Sequence, residues 1–402
     1  MRQATYLSEK RVDIVFDSYP RPSIKDSERA RRGTEERDCI ITGPEQHRPK
    51  KIADSLKSRS FKEQLPPFLA RKWESQQCAT TIGDRYIYIA FLGACFRFYV
   101  NNGKVVKEPV HELAGNHEEA DTRICAHVKA IDSMNTVDTK DIVIRGSDTD
   151  IAVIMLHHSK NLAANVWMDV GTALRNDRRY INLSAISEAL GQLVCDALHG
   201  FHAFTGCDYT SAFVRKGKVR PFAILEKDIP AQKAFANMSQ EKLDNASVET
   251  LKFFTSKIYG ARVSSKCALN EHRYKVFEKG FGPKASSKNP LEKLKGIAAS
   301  AIPPCEAELI EYIHQASFVA RMWANADQKD IEQHPSVSDG WNLDENGLYQ
   351  IIWFKGSQLP KALIPDVDHD VENDDSETEM EISSSDEEDM LSDEEASSDV
   401  DE

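Results

Sequence analysis

Six carboxylates stand at the ends of apolar stretches of this chain, at four separate places. Asp17 closes Val12-Asp13-Ile14-Val15-Phe16-Asp17, and Glu119 and Asp121 lie within His117-Glu-Glu-Ala-Asp-Thr-Arg123. Asp148 and Asp150 follow Asp141-Ile-Val-Ile-Arg145, and Asp208 lies within Thr205-Gly-Cys-Asp-Tyr209. Carboxylates brought close repel one another unless they share protons or bind cations. Hard oxygen donors suit Mg²⁺ or Mn²⁺. Two such ions, about 3.5–4 Å apart, activate a water and stabilise the leaving oxygen of a phosphodiester. Asp148 and Asp150, two apart beyond a strand end, point to one side if the backbone there is extended. Each acid taken singly has a plainer reading as a turn former or helix cap. An acid at four separate element ends puts metal binding level with that reading.

These acids need strands and helices to hold them. Val12 to Asp17 is short, β-branched and followed by Ser-Tyr-Pro, which predicts a strand. A short basic helix is expected from about Ile24 to Arg32, stopped by Gly33, with Lys25, Arg29 and Arg32 on one face. Residues 34–72 contain Pro and have weak periodicity, so a long loop or loose helices are expected there. Tyr86 to Val100 reads as one or two strands, and a helix is expected from near Glu118 to about Met134. Asp141 to Arg145, Ala164 to Asp169 and Arg179 to Leu183 read as strands, and Ser184 to Gly200 as a helix with a Ser cap. Strands alternating with helices at this spacing predict βαβ units around a parallel sheet, an α/β fold. Beyond Lys218 mainly helix is expected, with loops at Gly280–Pro290 and Asp327–Asp344.

The ordered motifs resemble the flap endonuclease and structure-specific 5′ nuclease group of the PIN-like superfamily. Val-Phe-Asp17, Glu119-Ala-Asp121, Ser147-Asp148-Thr-Asp150 and Gly206-Cys-Asp208-Tyr209 follow that group's order across about residues 12–225. The resemblance implies a PIN-like sheet flanked by helices, then a helical hairpin, and two Mg²⁺ (or Mn²⁺) ions held by Asp17, Glu119, Asp121, Asp148, Asp150 and Asp208. It also implies that Lys25 and Arg32, seven residues apart, contact the scissile phosphate; without it they read as a solvated basic face. The family has an earlier strand with a further metal-binding Asp. Here the chain begins about eleven residues before the matching second strand, so a truncated sequence or an incomplete site is expected. Asp121 replaces the family's second Glu. The turn after Asp208 reads Arg215-Lys-Gly-Lys218, with a Gly lost and charge gained. His117 to Arg123 and Phe201 to Asp208 also resemble a group of uncharacterised animal proteins often tied to mobile elements.

Charge sets the wider frame. The chain has 402 residues, with 51 Lys and Arg against 64 Asp and Glu, a formal net charge of −13. That balance argues against a nucleic-acid partner until it is divided by segment. Residues 366–402 hold 19 acids and no Lys or Arg, which leaves a body of about +6 over residues 1–365. The tail is low-complexity and expected to be disordered. Its Ser383-Ser-Ser385-Asp-Glu-Glu-Asp389 run suits an acidophilic kinase, and the tail would suit basic partner proteins as well as a plain solubilising role. Tyr86 to Phe96 is too short to span a bilayer, and Met1 to Arg11 lacks the apolar stretch of a signal peptide. Eight scattered Cys without a CxxC pair fit reduced thiols in the cytosol or nucleus. His117, His199 and His202 lie near the acids and read first as structural histidines. Cys207, Trp323, Trp341 and Trp353 read first as core or partner contacts.

Three regions are therefore expected: a nuclease-like domain over 1–225 with a loop or arch-like insertion at 34–80, a mainly helical region over 226–365, and the acidic tail. The expected function is metal-dependent hydrolysis of DNA, or alternatively RNA. The alternatives are an inactive nucleic-acid-binding scaffold on the same fold and a chromatin interaction protein led by its tail.

Overall fold

Alternating β-branched residues make the first strand, β1 (Arg11–Val15), and in the computed structural model it pairs in parallel with β2 (Tyr86–Phe91). Between them lies helix α1 (Arg59–Trp73). β3 (Ala94–Asn101) and β4 (Lys104–Pro109) extend the sheet antiparallel, in the order β1-β2-β3-β4. After helix α2 (Ala120–Ser133), a second sheet begins with β5 (Asp141–Arg145). Helix α3 (Thr149–His158) leads to β6 (Asn165–Val170), parallel to β5, and β7 (Arg179–Asn182) adds antiparallel to β6. The structure describes residues 10–26, 29, 40–43, 45–47, 49, 52–134, 141–172, 175–261, 268–281 and 299–356. The acidic tail, residues 282–290 of the loop expected at Gly280–Pro290, and most of 30–51 lie outside the described residues; Gly280 and Phe281 instead end a helix, Leu269–Phe281.

The fold is mixed α/β, and among the described residues the expected parallel pairing holds only for β1 with β2 and for β5 with β6. The reason is connection length. Leu92 and Gly93 alone separate β2 from β3, and residues 171–178 separate β6 from β7. A parallel neighbour needs a crossover of a dozen residues or more.

Other expectations shift for local reasons. The stretch expected as a long loop or loose helices contains α1, a single 15-residue helix with Pro66 and Pro67 inside it. Its buried face of Phe61, Pro66, Ala70 and Trp73 offsets the lost backbone bonds, and Trp73 meets Phe98 edge-on at 6.0 Å. The helix expected over 184–200 is two helices, α4 (Leu183–Leu190) and α5 (Gln192–Phe204). They break at Gly191, whose φ of 78° suits glycine. Asn182 rather than Ser184 caps α4, accepting the Ala185 N–H at 2.9 Å; the Ser184 hydroxyl instead accepts the Val166 N–H.

The C-terminal region is mainly helical, as expected: α6 (Val219–Leu225), α7 (Ile229–Asn237), α8 (Asn245–Ile258), α9 (Leu269–Phe281) and α10 (Glu306–Ala324). A short hairpin, β8 (Trp341–Leu343) with β9 (Tyr349–Ile351), was not legible as strands. Trp323 and Trp341 are buried, as expected of core residues, whereas Trp353 is exposed.

One apolar cluster joins β5, β6 and α3 to α5, α7, α8 and α10. α2 bridges the sheets. Its Cys125 and Val128 pack with Ile142 and Ile144, while Ala130 packs with Tyr88, Ala90 and Cys95. The loop before α2 is clasped by a distant segment. Asn116 exchanges two side-chain hydrogen bonds with the Ile331 backbone, each 2.8 Å, and His117 Nε2 meets the Gln328 carbonyl at 2.9 Å.

Three histidines are packed between α3 and α5. The His157 ring lies 4.3 Å from that of His199 and 4.9 Å from that of His158. His199 is fully buried, and neither ring nitrogen has a hydrogen-bond partner. Burial, then the neighbouring rings, push His157 down to about 4 and His199 well below the usual histidine value. Asp196, 3.5 Å from His157 Nδ1, pulls the other way without prevailing. The folded chain keeps these rings neutral, while the unfolded chain takes up protons near about pH 6.5. Their contribution to stability is therefore complete above pH 6.5 and is lost as pH falls toward 4. Thermal melting at stepped pH is expected to show this slope, and His199→Leu should flatten it above pH 5. An unchanged slope would place the acid sensitivity elsewhere.

Candidate metal centre

Two helices that start side by side bring the carboxylates together. α2 begins at Ala120 and α3 at Thr149, and each carries acids at its first turn. Exposed backbone N–H groups and the helix dipole favour negative charge there. Asp148 is the N-cap of α3, and its Oδ1 accepts the Asp150 N–H at 3.1 Å. The pair therefore does not lie along an extended strand as the spacing suggested; a capping turn draws it together. Asp121 meets it from the first turn of α2. Carboxylate oxygens of Asp121, Asp148 and Asp150 all lie within 4.8 Å of one another.

The electrostatics of these three acids differ. Burial pushes the Asp121 carboxyl up first; Asp148, Glu119, Asp150 and Asp17 add to it, and it reaches about 8. A carboxyl so placed is discharged by a proton or by a cation. Burial also acts against an ionised Asp150, but the His202 ring, with Lys25 and Lys218, outweighs it and holds that carboxyl below the usual range. His202 Nε2 lies 2.9 Å from Asp150 Oδ1, and its ring packs 5.7 Å from Trp323.

The remaining predicted residues form a second group. Lys25, buried, puts Nζ 2.6 Å from Glu119 Oε2 and 3.8 Å from Asp208 Oδ2, and 4.0 Å above the Tyr209 ring. Burial disfavours the ammonium, but Glu119, Asp208 and Glu118 outweigh it and raise its pKa. Glu119 and Asp208 do not join the three-carboxylate group. Nor does Asp17, which serves the plainer role of a cap: its Oδ1 accepts the Ala120 N–H at 2.9 Å. Arg32 lies outside the described residues.

Three further residues belong to the neighbourhood. Arg29, on the basic face read from the sequence, pairs with Glu118 at 2.6 Å and lies 3.8 Å from Glu119. His202 had been read as structural, and only its position three residues before the Thr-Gly-Cys-Asp run hinted at more. Lys218 closes the Arg215-Lys-Gly-Lys run; its Nζ donates to the His202 and Gly206 carbonyls at 2.9 and 2.6 Å. Burial brings it down to about 8 against the pull of Cys207 and Asp150. His117 is structural, bonded to Thr122 Oγ1 and the Gln328 carbonyl. The Cys207 thiol is raised by burial, as suits a packing residue.

All the converging donors are carboxylate oxygens, which fits a hard divalent ion such as Mg²⁺ or Mn²⁺ and not a thiolate-preferring metal. Compared with protein-family models, with curated proteins and with solved structures, the chain gives no match.

Proposed function

We propose that this chain is a metal-dependent phosphodiesterase of the PIN-like, flap-endonuclease kind, acting on DNA or alternatively on RNA. The observation that carries the proposal is the meeting of Asp121, Asp148 and Asp150 from two helix starts. Asp121, Asp148 and Asp150 would hold Mg²⁺ or Mn²⁺. A bound ion would supply an activated water and charge stabilisation at a phosphoryl oxygen. His202 orients Asp150. Lys25, Arg29 and Lys218 add positive charge beside the acids, which suits an anionic backbone. The order of the carboxylate motifs along the chain supports the same reading.

A second reading, binding without cleavage, draws on Lys25, whose ammonium already occupies Glu119. Both readings expect salt-sensitive binding of nucleic acid. They part in an assay of single-stranded and branched DNA and RNA with Mg²⁺ or Mn²⁺. Cleavage that disappears with EDTA is expected. Binding without cleavage, unaltered by Asp148→Ala, would establish the second reading instead.

A further inference from the structure

We infer that the centre takes one divalent ion, on Asp121, Asp148 and Asp150, and that the Lys25 ammonium stands where a second ion would otherwise bind, between Glu119 and Asp208. This rests on the metal reading above and narrows it.

The six predicted acids fall into separate groups. Asp121, Asp148 and Asp150 converge within 4.8 Å. Glu119 faces a cation at each oxygen: Lys25 Nζ is 2.6 Å from Oε2, and Arg29 Nη2 is 3.8 Å from Oε1. Asp208 lies 3.8 Å from the same ammonium, and Asp17 gives its Oδ1 to the Ala120 N–H at the start of α2. Lys25 is also anchored. Its backbone N–H donates to Ser23 Oγ at 3.1 Å, Ser23 Oγ donates to Glu118 Oε1 at 2.7 Å, and Arg29 bonds that same oxygen at 2.6 Å. The lysine side chain is 6% exposed and its charge lies against the Tyr209 face, a favourable seat for a cation.

A divalent ion on Glu119 would have to expel this ammonium from a buried, paired position or sit beside a like charge in a poorly screened place. An ion on the aspartate group displaces no such ammonium, although Lys25 and Lys218 act on Asp150 from further away. A one-ion centre with a fixed lysine would keep the lysine's positive charge near the substrate phosphate even without metal.

Mn²⁺ titration of the full chain, followed by calorimetry and by the electron paramagnetic resonance of free Mn²⁺, tests this. One ion per chain is expected. Asp121→Asn should weaken binding at least tenfold, whereas Glu119→Gln should change it less than threefold. Lys25→Met should open the second position and raise the stoichiometry to two. Two ions in the unaltered chain, one ion in a folded Lys25→Met chain, or equal losses for Glu119→Gln and Asp121→Asn would each overturn the inference. Should Lys25→Met fail to fold, the Glu119→Gln and Asp121→Asn comparison still decides. An unaltered chain that binds no Mn²⁺ would overturn the metal reading itself, a result distinct from finding two ions.

Discussion

Exchanging Asp148 for asparagine is expected to abolish Mn²⁺ binding and lower any cleavage at least a hundredfold, while raising the stability of the metal-free chain, because, after burial, Asp148 is the first charge that pushes Asp121 up. Without a cation, carboxylates within 4.8 Å of one another repel. At an effective dielectric of 20, two unit charges at that range interact by about 3–4 kcal/mol. Asp148 is exposed, so screening reduces this to a net gain of about 1–2 kcal/mol. Asparagine is the right replacement because it caps a helix about as well as aspartate. The amide oxygen at 148 can still accept the N–H of residue 150, and Asp150 keeps its contact with His202. Melting in EDTA should therefore shift upward by a few degrees. A downward shift, or cleavage that survives, would mean that the three acids serve the fold and not an ion.

The largest loss of stability is expected from adding one methyl group, in Gly200→Ala. A Cβ at position 200 would lie 2.3 Å from the Phe235 carbonyl oxygen and 3.1 Å from its carbon. Both atoms are backbone of α7, so no side chain can swing aside. α5 and α7 would have to separate inside the main core, where Phe201, Phe204 and Phe235 are packed. Overpacking of this kind costs about 1–3 kcal/mol where side chains yield, and here about 3 kcal/mol or more. Urea denaturation measures it directly. Because α5 carries His202, Mn²⁺ affinity should also weaken in whatever fraction stays folded. Stability within about 0.5 kcal/mol of the unaltered chain would show that the helices are not in such close contact.

How much of this was legible depends on where the information lies. β1 and β5 announce themselves through β-branched runs and α2 through the acids and apolar residues of its first turns, whereas the short apolar run Ile151–Leu156 does not by itself mark α3 as a helix. Antiparallel β3 and β7 were hidden because pairing direction follows connection length, not strand composition. α1 reads only as loose helix or loop, because local propensity takes Pro66 and Pro67 as breakers and tertiary burial overrides them. At the centre, sequence spacing picked out Asp121, Asp148 and Asp150 but misjudged how the last two meet, because a helix cap had replaced the expected extended turn. Asp17 shows the reverse: an acid at a strand end that does what a lone aspartate usually does. The pairing of Lys25 with Glu119, 94 positions apart, could not be read from spacing at all.

The clasp of Asn116 by Ile331, 215 positions later, bears on how this protein can be dissected. Motifs divide the chain near residue 225, but mechanical support crosses that line. A fragment ending there would retain every acid of the centre and forfeit the strap that sets the entry to α2, and with it the posture of Asp121. Excision by motif would preserve the ingredients and discard their alignment.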